Sequence, residues 1–496
     1  MKEVDPAPLW GTAALEAKRR QIRDCAEEQA AQRDRHIERN AYFYRLVGSE
    51  LRFLAGSAGR VLLVRCQTGK LIEYVDAEAV AAVDVSPAMV QRARERCPSA
   101  EVHEMDPELS LPTGPFDTVL IQDTPDMVDI LAMLKNVRGV CHRHTRVIIY
   151  TYNHLWEPLV SLAEKWRWKT AKVEPNWLTP QDYENLLHLA GFEMLRLTRR
   201  VLLPFGMPGL GQLVNKYLTW LPGVNHLNLC HFFVARPVPE PLSARQFKIS
   251  VIIPCKDEAG NVRSAVERMP QLGRETEIIF CDDKSTDGTP DEVRRLQAEY
   301  PDRNIRLVDG PAISKSRNVW TGFGAATGDI LLILDADLTV MPEELPGFIE
   351  ALVSGKGDFI NGSRLVYPMQ GQAMKFANML GNRAFAMLFS YLIGSPVRDT
   401  LCGTKVLWRR DWLKIQAMID TWGAEDRWGD YELLFGATKL NLRILDLPVH
   451  YQERMYGTTK MTRVFKNGLI MLRFCWAAFL KLKLPQIRRH PSVKTP

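Results

Sequence analysis

No stretch of this sequence holds the roughly 18 uninterrupted apolar residues of a membrane span, so no transmembrane helix is expected. The nine cysteines are scattered singly, with no C-x-x-C pair and no Cys/His spacing suited to a metal. They read as free thiols in a reducing compartment. The opening MKEVDPAPLW lacks the charged-then-apolar pattern of a secretory signal, and a cytoplasmic location is expected. Acidic residues stop at Glu453, beyond which ten basic residues follow. Because those ten belong to a total of 64 Lys and Arg set against 58 Asp and Glu, the rest of the chain is slightly acidic. A basic tail on such a body suits a phosphate-rich or anionic-membrane partner, the alternative being a solvated tail. No nucleic acid partner is expected, and the oligomeric state is not legible.

At 496 residues the chain calls for two or three domains, with ample core material at 46% hydrophobic content. Residues 10–46 are rich in Ala, Glu, Arg and Gln, and read as one or two polar helices in an N-terminal extension over 1–50. From 51 to 236, β-rich runs (RVLLV, VAAVDV, DTVLIQ, RVIIYTY) alternate with helical patterns such as PAMVQRARERC, which predicts a parallel α/β domain. TPQDYENLLHLAGF predicts a helix with Thr179 as N-cap, Pro180 in the first turn and Gly191 just past the end. PVPEPLSARQ, 237–246, reads as a linker. A fresh alternation (KISVIIPC, EIIFCDD, IRLVDG, DILLILDADL, LRILDLPVHY) predicts a second α/β domain over 247–465, with a basic amphipathic helix and tail at 466–496.

In that second half, ISVIIPCKDE ends a strand in Lys256, Asp257 and Glu258. EIIFCDDKSTDGT ends another in Asp282 and Asp283, and DILLILDADLT a third in Asp335 and Asp337. Ligands of α/β sheets bind beyond the carboxyl ends of strands, so three acidic strand ends in order mark a candidate site. On a strand, residues i and i+2 share a face; Asp335 and Asp337, flanking Ala336, are therefore expected to meet one hard cation that bridges diphosphate oxygens. The competing reading is a set of solvated acidic turns.

PCKDE, CDDKSTDGT, GAATGDILLILDADL, GSRL, DTLCGTK and YGTTK, in that order, resemble a family 2 glycosyltransferase of the GT-A fold, and within it the dolichol-phosphate (polyprenyl-phosphate) mannosyltransferases. The resemblance implies a nucleotide-diphosphate sugar donor, an inverting transfer and a divalent metal, Mg²⁺ or Mn²⁺. It implies that Pro254, Glu258 and Asp283 hold the nucleoside, with Lys256 in the same donor loop. Asp335 and Asp337 would hold the metal, with the diphosphate alongside Ala336. Lys256 and Asp257 stand where those mannosyltransferases usually have Tyr-Asn, and Thr339 where they tend to have Gln, so nucleotide and sugar stay open.

A phosphate monoester, with a second pKa of about 6, is already an oxyanion near neutral pH and needs cations to position it more than a base. Arg364 in GSRL, Arg383 in GNRAF and Lys460 in YGTTK match basic positions of the resembled family and are the candidates. A hydroxyl acceptor would instead need a carboxylate base, for which Asp430 in RWGDYELL is the candidate; the plain reading of Asp430 is an acid at a helix start. Two apolar helical patterns, 374–394 and 466–484, read as interfacial helices that would bring the enzyme to the cytoplasmic membrane face, or else as core helices on the sheet.

The first half resembles a class I S-adenosylmethionine-dependent methyltransferase through VLLVRCQTG, VAAVDVSPAMVQRARE, HEMDPELSLPTGPFDTVLIQDTPDMV, RVIIYTY and LLHLAGFEML. Gly69, Asp84 (placed for ribose hydroxyls), Asp106 (adenine edge) and Asp123 match the family's cofactor or substrate positions. The common opening V-L-D-x-G-x-G-x-G is altered: Leu63 replaces the acid, Arg65 the first glycine and Gln67 the second. Those glycines let the backbone approach the cofactor, so their loss should weaken binding of S-adenosylmethionine. Three readings stay open: an active methyltransferase, a non-catalytic scaffold, and an enzyme using another nucleotide. The fold class expected overall is α/β in two domains, a Rossmann-like methyltransferase fold followed by a GT-A fold with interfacial helices.

Overall fold

The structure, a computed structural model, describes residues 12–122, 124–165, 176–207, 210–364, 366, 376–419, 429–452 and 464–483. The chain divides into two compact units, which change over between Val238 and Pro239, at the start of the Pro-rich stretch.

The first unit is built on a seven-stranded sheet of β1 (Ser57–Val64), β2 (Asp76–Asp84), β3 (Glu101–Glu104), β4 (Phe116–Ile121), β5 (Cys141–Tyr152), β6 (Phe192–Arg200) and β7 (Cys230–Pro237), in the spatial order β3-β2-β1-β4-β5-β7-β6. β1 to β5 run parallel, and β7 is antiparallel to both of its neighbours. Its helices are α1 (Thr12–Arg39), α2 (Ala41–Ala55), α3 (Pro87–Arg96), α4 (Ile130–Gly139), α5 (Glu157–Lys165), α6 (Pro180–Leu189) and α7 (Leu210–Tyr217). After the exposed Arg60, VLLV is apolar throughout because both faces of its strand are covered: Val61 and Leu63 point into one core, Leu62 and Val64 into the other. The stretch 10–46, read as one or two polar helices, holds α1 and the first residues of α2. α1 is polar, whereas α2 buries Phe43, Tyr44, Val47, Leu51 and Leu54 against the sheet. The helix after Pro180 forms as its sequence predicts: Thr179 and Asp182 close a reciprocal capping box, and Gly191 follows with a φ of 79°.

The second unit holds another seven-stranded sheet: β8 (Lys248–Cys255), β9 (Glu275–Asp282), β10 (Asn304–Asp309), β11 (Ile330–Ile333), β12 (Phe359–Ser363), β13 (Lys405–Trp408) and β14 (Ile444–Pro448), ordered β10-β9-β8-β11-β13-β12-β14. β10, β9, β8 and β11 are parallel, and β13 runs against β11 and β12. Around it lie α8 (Ala259–Glu267), α9 (Thr289–Glu299), α10 (Lys315–Ala325), α11 (Leu345–Val353), α12 (Phe376–Ile393), α13 (Arg409–Gln416), α14 (Gly429–Lys439) and α15 (Val464–Ala478). Pro254 is tolerated in the central strand β8 because β11 stops pairing with it at Ile252, before the residue that lacks an N–H. α15 is part core helix, part exposed apolar surface. Phe474 packs on Tyr431 with ring centroids 5.8 Å apart, while Leu469, Leu472 and Trp476 are exposed. No helix among the described residues is long and apolar enough to cross a membrane.

Candidate functional site

Because β9, β8 and β11 are parallel neighbours, their carboxyl ends meet at one edge of the second sheet. Asp257, Lys284 and Leu338, one in each loop leaving that edge, have φ values of 53°, 59° and 51°. Non-glycine residues in the left-handed region are uncommon and gather at functional sites, where surrounding contacts hold the strain. Here the contacts are visible: the Asp257 carboxylate accepts from the Thr286 N–H at 2.8 Å, and the Asp257 N–H donates to Ser285 Oγ at 2.8 Å. Glu258, buried, heads α8 and accepts from Asn261 Nδ2 at 2.8 Å. Lys256 beside it is exposed. Asp282 Oδ2 accepts from the Ser285 N–H at 3.0 Å. The Oδ1 atoms of Asp282 and Asp283 are both buried without a hydrogen-bond partner among the described residues. A buried carboxylate oxygen left unpaired is costly, so two of them side by side call for donors from a ligand.

The Asp335-Ala336-Asp337 triplet corrects the reasoning from strand alternation. β11 ends at Ile333, and the triplet lies in the turn beyond it, so its side chains do not follow the two-residue period of a strand. Asp335 Oδ1 accepts from Lys315 Nζ at 2.5 Å, whereas Asp337 Oδ1 accepts from the Thr339 N–H at 3.2 Å and from its hydroxyl at 2.9 Å. Burial acts to raise the Asp335 pKa, but the Lys315 ammonium, with Lys405 and Arg364 farther off, holds it below the usual carboxylate value. Lys315, its side chain half exposed, opens α10 behind its N-cap Ser314; partial burial works against its charge, while Asp335, Asp430 and Asp337 raise its pKa above the ordinary lysine value. Gly403 is pressed onto Asp335: a Cβ there would lie 2.3 Å from Oδ2 and 2.6 Å from Oδ1.

In the first unit the loop after β1 keeps the left-handed backbone at the two positions where glycines are missing, with φ of 63° at Arg65 and 53° at Gln67. Gly69 (φ 79°) passes so near α3 that a Cβ would lie 3.2 Å from Ala93. Asp84 Oδ2 accepts from the Gln67 N–H at 2.9 Å and Oδ1 from the Ser86 N–H at 3.2 Å. Asp106 accepts from the Glu108 N–H at 3.0 Å, and Asp123 lies outside the described residues.

The family profile for glycosyl transferase family 2 matches residues 250–415, and a methyltransferase-domain profile matches residues 62–149. The chain joins a family 2 glycosyltransferase domain to a methyltransferase domain. It is similar to a dolichol-phosphate mannosyltransferase of Pyrococcus furiosus, 37% identical over 121 residues that cover 24% of this chain and 34% of that protein. Glycosyltransferase AglD of Haloferax volcanii is 26% identical over 265 residues, 51% of this chain and 41% of that one. An undecaprenyl-phosphate 4-deoxy-4-formamido-L-arabinose transferase of Aeromonas hydrophila is 31% identical over 111 residues, 22% and 34% of the two chains. The chain thus spans about a third to two fifths of the length of these relatives.

In the glycosyltransferase domain the cations proposed for an acceptor fare differently. The Arg364 guanidinium grips Asp399 with Nε at 2.7 Å and Nη2 at 2.9 Å, a bidentate pair on a fully buried carboxylate. Two of its five donors therefore anchor the DTLCGTK loop that carries Gly403. Arg383 lies on α12, and its side chain, like Lys460, falls outside the described residues. Asp430 sits in the first turn of α14, ion-paired to Lys405 at 2.9 Å. The residues that composition and motif did not mark are Lys315, Asp399, Gly403 and Lys405; of these, Asp399, Gly403 and Lys405 fall within the DTLCGTK motif, which alone could have pointed to them.

Asp335 and Asp337 offer carboxylate oxygens of the kind a hard divalent cation takes, and the missing Cβ at Gly403 leaves room beside Asp335, although the described residues hold no group of three or more His, Cys, Asp or Glu side chains placed to bind a metal.

Proposed function

We propose that the second unit transfers a sugar, with inversion, from a nucleotide-diphosphate sugar to a polyprenyl phosphate at a membrane surface. The observation that carries this reading is the pair of buried, unpartnered oxygens on Asp282 and Asp283, at the same sheet edge as Glu258 and the Asp335–Asp337 turn. Glu258 and Asp283, with Pro254 and Lys256 beside them, would receive the nucleoside. Asp335 and Asp337 would hold Mg²⁺ or Mn²⁺, which when bound supplies charge neutralisation for the departing diphosphate. Lys315 already places one cation against Asp335 on that side of the site. An acceptor phosphate needs no general base, which agrees with Asp430 being tied to the fully buried Lys405. A hydroxyl acceptor would require Asp430 to leave that pair.

Membrane contact is supported by α15 and the turn after it, where Leu469, Leu472, Trp476 and Leu480 form an exposed apolar stripe. Lys483 lies 5.1 Å from the Tyr391 ring centroid, a basic and aromatic pairing suited to a bilayer interface on the cytoplasmic side. The relatives from Pyrococcus and Aeromonas, named for lipid-phosphate acceptors, support the same class of acceptor here. The first unit would then be either a methyltransferase or a scaffold that keeps the fold.

The test is transfer by the purified full chain from a panel of nucleotide sugars to a polyprenyl phosphate in detergent, with and without Mn²⁺. Asp337→Asn is expected to abolish metal-dependent transfer; unchanged turnover in that variant would overturn the site.

A further inference from the structure

We propose that α1 is a strap that closes the methyltransferase cofactor cleft with the chain's own side chains, and that its release opens a site for a nucleoside-type ligand. This concerns the first unit alone and does not depend on the sugar-transfer reading.

The contacts of α1 fall where the fold holds its cofactor. Glu27 Oε2 accepts from Ser86 Oγ at 2.5 Å and from the Ala88 N–H at 3.1 Å, just after β2 and on the N-terminal turn of α3. That turn favours negative charge, and Glu27 supplies it from within. Arg33 donates to the side chain of Gln67, the residue standing at a missing glycine. Asp34 pairs with Arg92 at 3.1 Å and Arg96 at 2.8 Å on α3. Arg19 reaches Glu108 at 3.1 Å and Asp106, the adenine-edge position, at 3.8 Å. Beneath the helix remains a cavity of about 420 Å³, lined by Ile22 and Arg23 of α1 and by Arg65, Val85, Met105 and Asp106 of the cleft. Its size is that of a small-molecule site.

What holds the strap is weak. Among the described residues of this 28-residue helix, only Ile22, Ala30 and Ile37 are buried apolar side chains. The remaining attachments are partly exposed ion pairs and hydrogen bonds, which contribute little each and are screened by salt. An element with few buried apolar contacts opens locally far below the cost of global unfolding. A ligand that needs the open cleft binds with an affinity reduced by the closed fraction, so loosening α1 should raise apparent affinity.

The experiment uses the full chain and S-adenosylhomocysteine as the probe. Calorimetry compares wild type with Glu27→Ala/Asp34→Ala, and hydrogen exchange follows α1 at low and high ionic strength. The expected results are faster α1 exchange at high salt and about tenfold tighter binding by the double variant. Equal affinity in the two proteins would overturn the proposal. So would the absence of binding in both while α1 exchanges freely in the variant. Should the double variant lose cooperative unfolding, the salt dependence of wild-type affinity gives the same reading: tightening with salt supports the strap, and no change overturns it.

Discussion

Replacing Gly403 by alanine tests the glycosyltransferase site with a single methyl group. The new Cβ would lie 2.3 Å from Asp335 Oδ2 and 2.7 Å from its carboxyl carbon. Ordinary contact begins near ~3.4 Å, so the carboxylate must retreat by about 1 Å, and a misplacement of that size costs on the order of 100-fold in rate. That corresponds to roughly 2.7 kcal/mol of lost transition-state stabilisation. The fold should suffer much less. The clash falls on the end of a side chain, which can rotate away, and removing a glycine also lowers the entropy of the unfolded chain. Rotation does cost the Lys315 contact, but the Lys315 side chain is half exposed and such pairs contribute at most about 1 kcal/mol. The expected outcome for Gly403→Ala is therefore a kcat about two orders of magnitude lower with a melting temperature within a few degrees of wild type. Steady-state sugar transfer at saturating donor, alongside thermal unfolding of the same preparation, decides the matter. Wild-type turnover in this variant would show that Asp335 takes no part in the reaction.

Asp399→Asn leaves the partly buried Arg364 without its counter-charge and is expected to cost about 3–5 kcal/mol at neutral pH in urea unfolding. Burial would raise the Asp399 pKa, yet Arg364 brings it down to about 2. Its contribution, on the order of 2–3 kcal/mol, is thus present above the unfolded value of about 4 and is lost as pH falls towards about 2; the gap between wild type and variant should narrow over that window and stay constant from pH 5 to 8. Leu472→Ser/Trp476→Ser should cut binding to anionic vesicles several-fold while leaving thermal stability nearly unchanged, since both side chains are exposed; undiminished sedimentation with vesicles would remove α15 from the membrane contact.

The parts of this molecule that were readable in advance share a physical cause. Apolar runs such as VLLV and VIIP report burial on both faces of a sheet, and acidic residues just past such runs report a strand's carboxyl end, wherever the strand later pairs. Neither inference needs a long-range contact. The relations that were not readable all do. Lys315 meets Asp335 twenty residues away because α10 crosses beside β8 and β9, and Arg364 meets Asp399 across 35 residues. The length of β11 is likewise set by its neighbours: pairing with β13 runs only from Ile330 to Ile333, which ends the strand before the acidic triplet and removes the alternation its sequence invites.

The loop RVLLVRCQTGK shows how a local signal can be read correctly yet mean something else. Losing two glycines removes the residues that take up a left-handed turn at no steric cost, and the expectation from it is weaker cofactor binding. Yet Arg65 and Gln67 hold the left-handed conformation, at roughly 1–2 kcal/mol each for residues with a Cβ. Asp84, accepting from the Gln67 N–H, and the Cys66 N–H donating to the Val83 carbonyl at 3.0 Å hold that backbone in place. The turn is therefore preserved, and what the substitutions add is side-chain bulk: Arg65 lines the cavity beside α1, where glycine would have none. Gln67 is held by Arg33 of α1. Bulk in the loop and the strap above it thus act at the same place, so glycine at position 67 alone should not open the cleft while Glu27 and Asp34 remain.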